Sequence, residues 1–187
     1  FDVWFGRVSG VVDVFLALSG FFFGERLLRT AMTPGASLWP VPEVTRLVRR
    51  LHLASTVEHC VADAATGQIY VGEQAVGIWR FDAEPEAEVV PTLIDAVRLG
   101  RITEEVGGLA LYDGGDQTRW LIASNASAGQ LYLYDRTRDD TFVNAVTVSA
   151  GSTAVGEPGG LFASSAEPRQ LLIADEDAEG GSNYKIV

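Results

Sequence analysis

The spacing of hydrophobic and polar residues changes about a quarter of the way along the chain. Residues 8–24 (VSGVVDVFLALSGFFFG) form a nearly continuous apolar run. Beyond residue 52, apolar residues come in short runs bounded by Gly, Asp, Ser or Thr, as in strands joined by tight turns. The pattern predicts an N-terminal hydrophobic helical segment followed by an all-β domain. Its predicted strands are 60–62, 69–71, 78–81, 109–112, 120–123, 131–134, 142–148, 171–174 and 184–187. Residues 92–99 are either a brief helix or the outermost strand of the repeat that follows.

The apolar run at residues 8–24 is too short for a standard membrane span. A spanning helix needs about 20 mostly apolar residues, and this run also contains Asp13. It lacks the basic flank and the small-residue cleavage site of a secretory signal, so we expect no signal peptide in this chain. Two alternatives stay open: a marginal span giving membrane association through residues 8–24, and a hydrophobic helix that packs elsewhere.

A proline-rich stretch separates the two parts of the chain. Residues 30–42 contain Pro34, Gly35, Pro40 and Pro42. Proline lacks a backbone donor and biases the residue before it away from helix, so this stretch reads as a linker. We therefore predict a hydrophobic segment and linker over residues 1–40 and a β-domain over residues 41–187.

The β-domain contains a threefold internal repeat. Val71, Ile122 and Ile173 are 51 residues apart and lie in the similar phrases QIYVGE, RWLIAS and QLLIAD. The first two phrases are followed by the aromatic runs GIWRFD and QLYLYD. A period near 50 residues with about four short strands per repeat is typical of β-propeller blades. The sequence thus predicts a partial propeller of about three blades, whose sheet edges are open to pairing.

Charge and composition exclude several functions. The formal charge is -11, and the first 50 residues hold 6 of the 14 basic side chains but only 4 of the 25 acidic ones. The β-domain is therefore strongly acidic, which argues against nucleic acid as a partner because phosphate contacts need clustered Lys and Arg. One cysteine, Cys60, excludes a disulfide framework, and two histidines exclude a His-rich metal site.

Two resemblances to known families add to this picture. Residues 12–21 (VDVFLALSGF) resemble a short signature of the type 3 membrane acyltransferases, many-helix enzymes that transfer acyl groups. Residues 57–63 (VEHCVAD), 67–73 (GQIYVGE) and 77–85 (GIWRFDAEP) resemble the β-propeller phytases, as do 101–109, 120–124 and the closing NYKIV. The second resemblance runs over about residues 46–187 and consists of ordered phrases, so it is the more specific.

The phytase resemblance implies a six-bladed propeller that binds calcium on an acidic face and hydrolyses phosphomonoesters, with phytate as substrate bound through bridging calcium. It implies catalytic roles for Glu105 and Glu58, and a secreted or cell-envelope location. It also implies a set of metal ligands, which are Glu58, Glu73, Glu105, Glu157 and Asp175. Calcium prefers such oxygen donors, and an acidic face can hold a polyanion only through cations of this kind.

The chain departs from the family pattern within this set. His59 replaces a glycine beside Glu58, and Gln74 replaces the second acid of a Glu-Glu pair that begins with Glu73. Residues 157–161 (EPGGL) keep one acid of an acid-rich phrase, and Asp175 opens the acidic turn 175–177. Because calcium takes 6–8 oxygens, lost acids weaken a site steeply. We therefore predict that this chain alone holds an incomplete site, and an inactive chain stays open as an outcome.

Other functions remain open on the sequence alone. The chain could be a non-catalytic propeller fragment that binds a partner. It could also be a chimeric fragment in which the acyltransferase-like segment is a remnant joined to the β-domain. For each acidic residue, a solvated loop position is the simpler alternative to a metal ligand.

Overall fold

The described residues form antiparallel β-sheets. The computed structural model describes residues 49–115, 117–150, 153–167, 169–177 and 183–187. Within those ranges, no helix has the length and apolar character needed to cross a membrane. The predicted hydrophobic segment, the acyltransferase-like signature and the linker lie outside the described residues.

Two sheets have four strands and a third has three. Blade 1 contains β1 (Val57–Asp63), β2 (Gln68–Glu73), β3 (Gly77–Asp82) and β4 (Thr92–Ala96) in that order. Blade 2 contains β5 (Leu109–Asp113), β6 (Arg119–Asn125), β7 (Gln130–Asp135) and β8 (Thr141–Thr147). After the small hairpin β9 (Ser149–Ala150) and β10 (Thr153–Ala154), blade 3 contains β11 (Pro158–Ser164), β12 (Gln170–Asp175) and β13 (Asn183–Ile186).

These sheets confirm an all-β domain whose repeats are consistent with propeller blades. All nine predicted strands fall on strands of the structure. The ambiguous stretch at 92–99 contains strand β4, which pairs with β3 as the fourth strand of blade 1, so its expected placement in the next blade was wrong. The strand β11 was not predicted, because its opening residues Pro158, Gly159 and Gly160 read as a turn. The first two strands of each blade pair antiparallel, and in blade 1 Gly67 adopts the left-handed conformation (φ 65°) in the turn between them.

The blades stack through apolar side chains on their facing surfaces. Tyr70 and Ile78 of blade 1 pack with Leu121 and Tyr134 of blade 2. Ile122 and Leu131 of blade 2 pack with Ile173 of blade 3 in a second cluster. The first strands β1, β5 and β11 lie side by side and line a cavity of about 310 Å³ whose walls are mainly apolar. Burying such faces between sheets is the main stabilising contribution to a stack of this kind.

Residues that are 51 positions apart in the sequence are not all at equivalent places in the three blades. Val71 packs with Leu51 and Phe81 on the surface of blade 1 that is turned away from blade 2. Ile122 and Ile173, by contrast, meet in one cluster between blades 2 and 3. Equivalent residues of successive blades face the same way around a propeller, so Ile122 is out of phase by one residue. The equivalent set contains Glu73, Asn125 and Asp175, each at the end of the second strand of its blade.

Candidate functional site

Two β-bulges lie where the first strands of blades 1 and 3 begin. In β1, Val57 pairs with Glu73 and His59 pairs with Gly72, so Glu58 is an extra residue without a partner on β2. In β11, Gly159 and Gly160 stand opposite the single residue between Asp175 and Ile173 on β12. A bulge bends the strand and redirects its side chains, and bulges are common beside functional sites.

Three carboxylates converge at these bulges from separate parts of the chain. They are Glu58 on β1, Glu105 in the loop before β5, and Glu176 in the turn after β12. Partial burial raises the pKa of Glu58 above its usual value, and the negative charges of Glu105 and then Glu176 raise it further. In the described part of the chain, no Lys or Arg forms an ion pair with any of the three. The acidic cluster formed by these three residues therefore carries uncompensated negative charge.

Glu105 is held in place by the end of strand β2. The side-chain amide of Gln74 donates a hydrogen bond to Glu105 Oε2 at 2.9 Å. The backbone amide of Val106 donates to the carbonyl oxygen of Gln74 at 3.2 Å. Because Gln74 contacts the loop through both its side chain and its backbone, it orients the carboxylate of Glu105 toward β1.

His59 and the glycines of β11 surround the third carboxylate. Burial lowers the pKa of the His59 imidazole, and the nearby charge of Glu176 acts in the opposite direction. A methyl group on Gly159 would overlap the carboxylate of Glu176, whereas one on Gly160 would stand 3.7 Å from His59 Cε1. The lack of a side chain at Gly159 thus provides the space that Glu176 occupies.

Glu73 and Asp175 have a different environment from the acidic cluster. Both are buried, with 1% of their surface exposed. Glu73 Oε1 accepts hydrogen bonds from the backbone amides of Ala54 and Ser55, and Asp175 Oδ1 accepts from those of Gly156 and Glu157 at 3.2 and 3.3 Å. Each carboxylate therefore binds the loop that leads into the first strand of its own blade.

Blade 2 has the same arrangement without a charge. The equivalent residue is Asn125, whose Oδ1 accepts from the amide and hydroxyl of Thr103 at 3.2 and 3.0 Å. Its amide nitrogen donates to the hydroxyl oxygen of Tyr132 at 2.9 Å. The side-chain amide of Asn125 thus accepts the same kind of hydrogen bond that a carboxylate accepts in the other two blades. We infer that the residue at the end of the second strand holds the preceding loop in all three blades.

Among the predicted site residues, the structure brings Glu58 and Glu105 close enough for their charges to interact, and it places the backbone of Glu157 next to that of Glu176. Glu157 is half-buried, and its carbonyl oxygen accepts a hydrogen bond from the amide of Glu176 at 2.9 Å. Sequence reasoning selected Asp175 from the acidic turn, but Glu176 is the residue that faces Glu58. The sequence does contain a signal that could have identified Glu176. Side chains alternate along a strand, so when Asp175 at the end of β12 points inward, the next residue, Glu176, points the other way.

The acidic cluster supplies the donor chemistry of a calcium site without the closed geometry of one. In the described ranges, no group of three or more His, Cys, Asp or Glu side chains is arranged to hold a metal ion. The three carboxylates nevertheless influence one another electrostatically. Carboxylate oxygens are the donors that hard divalent cations prefer, and unpaired negative charge favours such a cation.

Comparison with known proteins identifies the class to which this fold and site belong. The profile of the phytase family matches residues 43–160, more than half of the chain. The chain therefore belongs to the phytase family, and the phytase resemblance seen in the sequence is confirmed.

A distant relative supports the same family assignment. The chain is similar to the 3-phytase of Bacillus subtilis (strain 168), with 28% identity over 109 residues. The matched segment is 58% of this chain and 28% of the relative, so the chain spans well under half of that protein's length. Glu58, His59 and Glu105 lie within the family match, whereas Glu176 lies beyond its end at residue 160.

Proposed function

We propose that this chain forms part of a calcium-dependent phosphomonoester hydrolase whose substrate is phytate. Family membership and the identity of the relative support the class of reaction. The observation that carries the proposal is that the charges of Glu105 and Glu176 both act on Glu58, which lies at the bulge of β1. Such a cluster repels a polyphosphate unless cations lie between them.

The residues present fit calcium by their chemistry. Glu58, Glu105 and Glu176 offer oxygen donors, and none of the three forms an ion pair with a Lys or Arg among the described residues. Bound calcium would neutralise substrate phosphates and lower the pKa of a coordinated water. We propose Glu58 and Glu105 as direct ligands in contact with the reacting groups, and Glu176 as a third carboxylate ligand.

The remaining side chains act on these ligands. Gln74 orients Glu105 through the 2.9 Å hydrogen bond. Glu73 and Asp175, the other two predicted ligands, support the site by binding the loops before β1 and β11. Their oxygens are already hydrogen-bonded and buried, so we propose a structural contribution to calcium binding for these two residues.

Calorimetric titration of the full chain with calcium chloride tests the metal site. We expect chelator-reversible binding, and we expect Glu58→Gln and Glu105→Gln to weaken it by at least about tenfold each, since calcium sites depend steeply on ligand charge. Glu84→Gln is the matched control, because Glu84 is exposed in the loop after β3 and far in sequence from all three ligands. Absence of binding at millimolar calcium would contradict the proposed site.

Release of inorganic phosphate from phytate tests the reaction separately. We expect release to require calcium, and we expect Glu105→Gln to abolish it while Glu84→Gln leaves it unchanged. Calcium binding without any phosphate release would refute catalysis by this chain. That result would favour the alternative of a non-catalytic binding fragment.

A further inference from the structure

The third strand of each blade carries a polar side chain at one equivalent position. Each of these residues pairs with the residue two positions before the end of the second strand, and they are Trp79 on β3, Tyr132 on β7 and Lys185 on β13. Their polar atoms lie 2.7, 2.9 and 3.4 Å from the side chains at the ends of the second strands, which are Glu73, Asn125 and Asp175 respectively. The contact is therefore a feature of the blade, whatever the chemistry of the side chain that makes it.

In blade 1 this contact leads to Glu58. The indole of Trp79 donates a hydrogen bond to Glu73 Oε2 at 2.7 Å. Glu73 Oε1 accepts from the backbone amide of Ala54 at 2.6 Å and from the hydroxyl of Ser55 at 3.1 Å. The bulged residue Glu58 follows Ser55 by three positions. The indole of Trp79 thus holds the carboxylate that fixes the start of the segment carrying Glu58.

In blade 2 the equivalent contact leads to Glu105. The hydroxyl of Tyr132 accepts a hydrogen bond from Asn125 Nδ2 at 2.9 Å and donates to the carbonyl oxygen of Arg101 at 3.1 Å. Asn125 Oδ1 in turn accepts from the amide and the hydroxyl of Thr103. Both hydrogen bonds fix the segment that reaches Glu105 two residues later. Asn125 is 0% exposed and Tyr132 is 6% exposed, so bulk water does not replace these hydrogen bonds when one is lost.

The two carboxylates held in this way repel one another. The negative charge of Glu105 acts on Glu58, and like charges are brought together only at a cost in free energy. If the segments before β1 and β5 were free to move, the carboxylates would separate, and a cation would have to draw them back at the expense of affinity. Hydrogen bonds that hold metal ligands in place reduce this cost.

We propose that Trp79 and Tyr132 are positioning residues of the calcium site, Trp79 for Glu58 and Tyr132 for Glu105. Both roles rest on the proposed function, in which the two glutamates bind calcium. Neither Trp79 nor Tyr132 is a ligand of the ion. Each acts through the residue at the end of its second strand, which binds the segment leading to the glutamate.

Calorimetric titration of the full chain with calcium chloride tests both roles in a crossed design. Trp79→Phe and Tyr132→Phe remove the polar group and keep an aromatic ring, and each should weaken calcium binding by about fivefold, as expected for one hydrogen bond. The effect of Tyr132→Phe should vanish in a chain that carries Glu105→Gln and persist in one that carries Glu58→Gln. Trp79→Phe should show the reverse. Losses that are the same in both backgrounds would overturn the proposal, because independent effects add.

Tyr70→Phe is the matched control for Tyr132→Phe. Tyr70 is 2% exposed, and its hydroxyl donates to Asp140 at 3.0 Å. Asp140 lies in the turn between β7 and β8, at the opposite end of blade 2 from Asn125. Tyr70→Phe should lower the melting temperature about as much as Tyr132→Phe does and change calcium affinity by less than about twofold. Equal weakening of calcium binding by the two variants would refute a positioning role for Tyr132.

Hydrogen exchange without calcium follows the two segments directly. Tyr132→Phe should speed exchange of the Thr103 amide by at least about fivefold and leave that of Ala54 unchanged, and Trp79→Phe should do the opposite. Unchanged exchange at Thr103 and Ala54 in both variants would overturn the proposal, whether or not the chain binds calcium. If the unaltered chain binds no calcium, the proposed function fails and the two positioning roles fail with it. If it binds calcium and the variants bind it equally well, only the positioning roles fail.

Discussion

The indole nitrogen of Trp79 donates a hydrogen bond to Glu73 Oε2 at 2.7 Å, within blade 1. The other oxygen of the same carboxylate accepts from the backbone amide of Ala54 at 2.6 Å and from that of Ser55. One buried side chain on β2 thereby ties β3 to the loop that enters β1. Because a buried polar group without a partner is costly, each of these donors depends on Glu73.

We expect Glu73→Gln to destabilise the domain by about 2 kcal/mol, because its amide nitrogen would face either the indole N–H or the backbone amides and leave a buried donor unpaired. Urea unfolding followed by circular dichroism measures this change. Glu84→Gln, which alters an exposed side chain, should change the free energy of unfolding by less than about 0.5 kcal/mol. A loss for Glu73→Gln no larger than for this control would refute the structural role.

The contact between blades 2 and 3 should be sensitive to a single methyl group. The amide of Gly108 donates to the carbonyl oxygen of Gly159 at 2.8 Å. A methyl group at Gly108 would overlap that oxygen and stand 2.7 Å from the amide nitrogen of Leu161. Since backbone atoms cannot move aside easily, we expect Gly108→Ala to cost about 2 kcal/mol or more. Gly160→Ala meets only ordinary contacts, the nearest at 3.7 Å, and is the matched control. Thermal unfolding of both variants checks this, and similar melting temperatures would contradict the close approach.

A buried ion pair joins blades 1 and 2 at the far ends of β1 and β5. The guanidinium of Arg136, with 1% of its side chain exposed, pairs with Asp63 and lies 3.2 Å from Asp113 Oδ1. We expect Arg136→Met to cost about 3 kcal/mol, because the buried charge of Asp63 would lose its cation. Arg138→Met should cost less than about 1 kcal/mol, since Arg138 is 70% exposed in its pair with Asp135. Chemical denaturation measures the free energy of unfolding of both variants. A small loss of stability for Arg136→Met, equal to that for Arg138→Met, would contradict the prediction.

The ion pair between Arg136 and Asp63 predicts that the free energy of unfolding falls at acid pH. Burial on its own would raise the pKa of Asp63, but hydrogen bonds from Thr66 and Arg136 and the charge of Arg136 lower it overall. A carboxyl whose pKa is lower in the folded state stabilises the fold above its unfolded value near 3.9. That contribution is lost as the pH falls through the folded pKa. We expect the free energy of unfolding of Arg136→Met to fall less steeply below pH 4 than that of the unaltered chain, and parallel curves would contradict this.

Two buried tyrosines predict that the free energy of unfolding falls at alkaline pH. The hydroxyl of Tyr70 donates to Asp140 Oδ1 at 3.0 Å, and that of Tyr134 donates to Asp95 Oδ2 at 2.9 Å. Burial, followed by the adjacent carboxylates, raises the pKa of both phenols above the usual value of 10. Their stabilisation is complete below pH 10 and declines as the pH rises, because only the unfolded chain ionises there.

We therefore expect the free energy of unfolding to fall between pH 10 and 12 by up to about 1.4 kcal/mol per pH unit for each tyrosine. Tyr70→Phe and Tyr134→Phe should each remove part of that slope, at a cost of about 1 kcal/mol at neutral pH for the lost hydrogen bond. Tyr184→Phe, with 72% of Tyr184 exposed, should leave the slope unchanged. Urea unfolding at a series of pH values measures all three, and identical slopes would refute the prediction.

The residue pattern alone predicted nine of the strands and the repeating unit, but not β11. Short apolar runs such as Leu131 to Tyr134, bounded by turn residues, favour strands, and their spacing favoured propeller blades before any contact was known. Glu58 and Glu105 could be chosen in advance because they lie in phrases shared with the phytase family. These signals are local, so they can be read from neighbouring residues.

Tertiary structure decided which faces meet and which acids converge. Ile122 has the sequence spacing of Val71 and Ile173, yet it packs against Ile173 because the second blade is shifted by one residue, and one residue reverses the face of a strand. Glu176 joins Glu58 only because a two-glycine bulge opens β11. Side-chain direction alternates with every residue, and bulges and loop lengths alter that alternation between distant segments, so only the folded chain fixes which side chains face one another.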